Sequence, residues 1–135
     1  MNKRLLTAIA ALALCTGSLG VGADTMSSKG YSLEDYHLGS AQDLVDLCTL
    51  EESHPDYAIA KSFCYGFFEG AIHYHDTIKE MPGYVEIVCD PEGTTRTAAV
   101  IEFTRYLQSN PQYGSEMPLD AVFRALSARW PCSTD

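Results

Sequence analysis

SFCYGFFEGAIHYHD, residues 62–76, holds a cysteine, two glycines four apart, a His-x-His pair and several aromatics. It reads either as a metal or catalytic site or as a packed helix. On a helix, at about 100° per residue, Cys64, Phe67, Phe68, Ala71, His75 and Ile78 share one broad face. Gly66, Gly70, His73 and Thr77 line up on roughly the opposite side. The glycines there leave a flat groove that another helix backbone can approach, at some loss of helix propensity. The stretch therefore reads as a central helix packed between neighbours, and Gly70→Leu is expected to overpack the groove by about 1–3 kcal/mol. His73 and His75 point about 160° apart and do not share a metal, because helical metal pairs need a spacing of three or four. Glu69, His73 and Asp76 fall close enough to converge, but a solvated or capping cluster outweighs a functional triad. His75 reads as a partly buried histidine with a backbone or tyrosine partner.

Working outward, this helix runs from about Asp56 to Lys79, after the break "ESHPD". Ser40 is placed to cap an earlier helix, with Asp43 in its first turn and Leu44, Leu47 and Cys48 on one face. "MPGYVEIVCDPEG" reads as an irregular connection punctuated by Pro82, Gly83, Pro91 and Gly93, with "YVEIV" as the one short strand candidate. Thr94 or Thr95 caps a third helix, whose Val100, Phe103, Thr104 and Leu107 repeat at helical spacing. Asn110-Pro111 stops it. Pro118 suits the first turn of a fourth helix with the stripe Leu119, Val122, Phe123, Leu126 and Trp130. Four amphipathic helices on short connections predict an all-α, four-helix bundle-like domain.

The chain opens with Lys3 and Arg4, a short apolar run from Leu5 to Leu14, and "VGA". This is the pattern of a secretory signal (1–23) cut after Ala23, and the run is too short to span a bilayer. Leu14 precedes Cys15 where lipoprotein processing needs a small residue, which argues against lipidation. A polar arm (24–39), expected to be flexible, then leads into the helical domain (40–135). No second apolar run follows, so no membrane segment is expected in the mature form. Without Lys3 and Arg4, seven basic residues face 18 acidic ones in the 112-residue mature chain, a net charge of −11. Such a surface repels nucleic acid and anionic lipid, and it suits a basic protein partner or plain solubility.

Cys48, Cys64, Cys89 and Cys132 remain after cleavage, an even count that predicts two disulfides in an exported chain. Three pairings are open. No Cys-x-x-Cys occurs, which argues against a zinc site or a thiol-redox enzyme. No nucleophile elbow or phosphate-binding loop appears, and oxidised cysteines supply no nucleophile. No catalytic residue, metal site or cofactor is expected, and the chain reads as a non-enzyme.

The segment "CYGFFEG", Cys89 followed by "DPEG", "FTRYLQSNP" and the terminal "LSARWPC" together resemble the Tai-type immunity proteins, periplasmic antidotes to peptidoglycan-amidase effectors of type VI secretion systems. The resemblance runs from about Cys48 to Cys132. It implies a small, helical, disulfide-bonded, non-enzymatic protein that is often a homodimer. It implies as partner a cognate amidase with a Cys-His active site, blocked by occlusion. It also implies the pairings Cys48–Cys64 and Cys89–Cys132.

For such an inhibitor the exposed loops are where contact residues belong. "KEMPGYVEI" offers Met81, Tyr84 and Glu86, and "NPQYGSEM" offers Tyr113, Glu116 and Met117. Tyr and Met are enriched at interface centres, while Glu meets a basic rim. The alternatives are a periplasmic helical stress or acid-protection chaperone, whose 18 mature carboxylates would drive unfolding in acid, and an orphan binding module.

Overall fold

The computed structural model describes residues 30–133, and the expected signal segment and most of the arm lie outside them. Four α-helices follow one another: α1 (Ala41–Cys48), α2 (Tyr57–Ile78), α3 (Arg96–Ser109) and α4 (Pro118–Arg129). Two 3-10 turns, Leu33–His37 and Pro111–Tyr113, complete the secondary structure of the described residues. "YVEIV" forms no strand.

The helix starts are those that local chemistry dictates. Ser40 accepts from the Asp43 N–H at 3.3 Å while the Asp43 carboxylate accepts from the Ser40 N–H at 3.0 Å. This reciprocal box satisfies two backbone donors that α1 would otherwise leave open. Thr95, not Thr94, caps α3 by accepting from the Ala98 N–H at 3.2 Å. Asn110 ends α3, and Pro118 occupies the first turn of α4.

The described end of the arm is built into the domain. Asp35 is fully buried and accepts from both the backbone and the hydroxyl of Ser32 (2.6 and 3.0 Å), closing the 3-10 turn that packs on α1. Tyr31 donates to Asp56 at 3.1 Å, and Tyr36 meets Phe63 edge-on at 5.1 Å. Polar composition gave no hint of this docking, because the polar groups spend themselves on one another.

Phe68 and Phe103 are fully buried and meet edge to face at 5.5 Å in the core, joined by Leu44, Leu47 and Val122. That pairing is worth about 0.5–1.5 kcal/mol beyond the area it buries. Cys48–Cys64 staples α1 to α2, and Cys89–Cys132 ties the 79–95 connection to the end of α4.

Two expectations need correction. α1 and α3 each pack on the three other helices, whereas α2 leans mainly on α1 and α3 from one side. Its outer face, with Gly66 and Gly70, is exposed, and a Cβ at either glycine would meet nothing within 4 Å. α2 is therefore an edge helix, and overpacking by Gly70→Leu is withdrawn. In α4 the core stripe runs through Pro118, Ala121, Val122, Ala125 and Leu126. Leu119 lies off it and is exposed, because the phase set by the buried alanines turns it about 90° from the stripe's centre.

Candidate partner-binding face

The connection 79–95 holds no helix or strand, yet it is fixed at several points. Pro82 and Gly83 (φ 84°) occupy the middle of a turn closed by Tyr84 N–H to Met81 C=O at 3.2 Å, a backbone that needs glycine at its third position. Tyr84 lies edge-on to His75 at 6.2 Å, Val88 enters the core, and the Cys89 N–H donates to the Trp130 carbonyl at 2.9 Å. Between the anchors Tyr84 and Val88, Val85, Glu86 and Ile87 stay exposed.

The second connection is anchored differently. Tyr113 stacks on Tyr106 with centroids 5.9 Å apart, and the Arg124 guanidinium lies 4.4 Å over the Tyr113 ring. Arg124 also donates twice to the Glu116 carboxylate, at 2.8 and 2.9 Å. That hydrogen-bonded charge raises the Arg124 pKa still further. The carbonyls of Gly114 and Glu116 accept from the Gln42 and Ala41 N–H groups at 2.9 and 2.8 Å, covering the start of α1. Met117 follows, 60% exposed.

The fold brings the two connections to one face of α4. Ile87 from the first and Met117 from the second line a shallow depression of about 550 Å³ with Asp120 and Phe123. A second depression of about 610 Å³ adjoins it, lined by Val85, Ile87 and Ser127 among others. Of the six residues picked from sequence, Met81, Glu86 and Met117 are exposed. Tyr84 is half-buried with its hydroxyl sequestered, and Tyr113 and Glu116 are committed to holding their loop. Sequence reasoning passed over Val85, Ile87, Asp120 and the outward placement of Phe123. The signal lay in helix phase: residue 123 falls about 130° from the centre of the buried α4 stripe.

The other clusters do not assemble for chemistry. Glu69 Oε1 is 3.2 Å from His73 Nε2 while Glu69 Oε2 accepts from Arg96 at 2.8 Å. Asp76 turns instead to Lys79 at 2.7 Å, a bond that lowers its pKa, so Glu69, His73 and Asp76 do not converge. Glu86 lies with Cys89 and Cys132, their candidate ligand atoms within 4.8 Å of one another, but both sulfurs are in the disulfide and offer no thiolate. His75 is buried, and the tyrosine partner expected for it is Tyr84, met ring to ring at 6.2 Å with Phe123 at 5.6 Å; the contact is packing, since Nε2 has no hydrogen-bond partner among the described residues.

A family model described as Rap1a immunity proteins matches residues 40–132. Neither a curated protein nor a solved structure matches the chain. The family match covers the whole helical domain and supports an immunity-protein family at a level coarser than the Tai type.

Proposed function

The chain belongs to the Rap1a immunity protein family, and from that premise we propose that it is an exported antidote to a peptidoglycan amidase delivered by a type VI secretion system. Immunity proteins of this kind act by binding a cognate effector, not by turning over a substrate. The observation that carries the reading is the family match over residues 40–132. The signal-like start and the two disulfides support action in the periplasm, an oxidising compartment. The resemblance to the Tai type supports an amidase as the target, held off by occlusion of its substrate groove. It also supports pairing of two copies, which light scattering of the mature chain would read.

The test is protection in cells. The product of the open reading frame adjoining this gene is exported to the periplasm, and lysis is followed with and without this chain. Lysis that the chain prevents, with loss of amide-bond cleavage in purified peptidoglycan, is the expected result. A toxic neighbour that the chain fails to restrain would refute the assignment for that pair.

A further inference from the structure

We propose that the face between residues 85–87 and α4 receives a protein surface carrying an apolar side chain ringed by lysine or arginine. This deepens, and rests on, the effector-binding reading above. The centre of the face is apolar and turned to solvent: Val85 is 78% exposed, Met117 60% and Ile87 44%. Half-buried Phe123 shares one depression with Ile87 and Met117, and Val85 lines the adjoining one, which Ile87 also borders.

These side chains sit on restrained backbone. Val85 and Ile87 lie between Tyr84, docked on His75, and Val88, sunk in the core, with the Cys89–Cys132 bridge immediately after. Met117 directly precedes buried Pro118 at the start of α4. A contact surface held this way loses little conformational freedom on binding, which is the condition for an apolar anchor to count towards affinity.

The rim decides the partner's charge. Glu86 and Asp120 are exposed, and among the described residues neither has a cation within ion-pair distance; Lys79, within electrostatic reach of Glu86, is bonded to Asp76 instead. The cation in the depression, Arg124, is already neutralised by its two bonds to Glu116. The mature net charge of −11 has the same sign. Such a field speeds the approach of a basic surface and opposes an acidic one. A second copy docked by this face about a two-fold axis would bring Glu86 and Asp120 towards their own like charges. The same carboxylates oppose an anionic lipid surface. A basic-rimmed protein is the occupant that remains.

The test titrates the full mature chain with the purified product of the adjoining open reading frame, at low and moderate salt. Val85→Ser combined with Met117→Ser should raise Kd at least tenfold while the circular dichroism spectrum stays that of the parent. Glu86→Gln with Asp120→Asn should slow association and flatten its salt dependence. Ile59→Ser with Tyr74→Ser, which strips comparably exposed apolar groups from the outer face of α2, should leave Kd within twofold. Unchanged affinity and salt dependence in the first two pairs, with binding intact in the parent, would overturn the inference and leave the effector-binding reading standing. Equal losses from all three pairs would also overturn it, since no particular face would then be in contact. If the parent chain itself does not bind, the effector-binding reading fails and this inference falls with it.

Discussion

Gly66 and Gly70 should each be better as alanine. Both lie inside α2, neither has positive φ, and a Cβ at either position meets nothing within 4 Å. In a helix interior glycine is about 0.8–1.0 kcal/mol less favourable than alanine, chiefly through the backbone entropy it loses on folding. With no clash to set against that gain, each substitution should stabilise by about 0.5–1 kcal/mol. The gain is backbone entropy at each position, and the two methyls, one helical turn apart, are too short to touch, so the gains should sum approximately. The double variant should gain about 1–2 kcal/mol, or roughly 5–10 °C in Tm for a domain of this size. The assay is urea unfolding of the oxidised mature chain followed by far-ultraviolet circular dichroism, with the m-value checked for constancy. A loss of stability in the monomer would refute the reasoning, because it would mean that something occupies the outer face of α2. A gain confined to one position would locate the error at the other.

Replacing His75 by Phe should stabilise by about 1 kcal/mol, since Nε2 is buried without a partner and a cavity of about 70 Å³ beside the ring has room for the larger side chain. A loss exceeding about 1 kcal/mol in chemical denaturation would show that Nε2 is satisfied in solution. Under mild dithiothreitol the Cys89–Cys132 bridge should open before Cys48–Cys64, because Cys89 is exposed and Cys132 half-buried while Cys48 and Cys64 are buried. Alkylation and peptide mass spectrometry read the order, and simultaneous opening would contradict it. Losing that bridge frees a 43-residue span and should lower stability by about 4 kcal/mol in the chain-entropy view. In acid, the bond from Lys79 depresses the Asp76 pKa, so its contribution is present above the unfolded value near 3.9 and fades as pH falls through the lower folded value. Asp76 is about half exposed, which holds that contribution below about 0.5 kcal/mol. Asp76→Asn should therefore cost no more than that at neutral pH, as urea unfolding reads, and a cooperative loss of the parent's near-ultraviolet signal at pH 3.5 would favour the acid-chaperone reading.

Local signals in the sequence were legible because their physics is local. Ser40, Thr95, Asn110 and Pro118 mark helix ends through bonds within a few residues of themselves. The buried stripes of α1 and α3 follow from a fixed turn per residue, whereas in α4 the small alanines shift the stripe off Leu119 and Phe123; the disulfide pairing expected from family resemblance is the one observed. The role of α2 was not legible in this way. The face of Gly66, Gly70, His73 and Thr77 looks the same in sequence whether a neighbouring backbone or water lies against it. Which applies depends on where α1, α3 and α4 converge, and they leave that face open. The partner face shows the complementary limit. Residue type drew attention to Tyr113 and Glu116, yet Tyr106, Arg124 and the start of α1 already engage that loop. Val85 and Ile87 stood in sequence only as part of a short strand candidate, and the anchors Tyr84 and Val88 on either side are what leave them exposed, while Phe123 of the expected α4 stripe is only half-buried. In this domain, then, Tyr84, Tyr113 and Glu116 hold the two loops in shape, and Val85, Ile87 and Met117 are apolar loop residues that the fold leaves exposed.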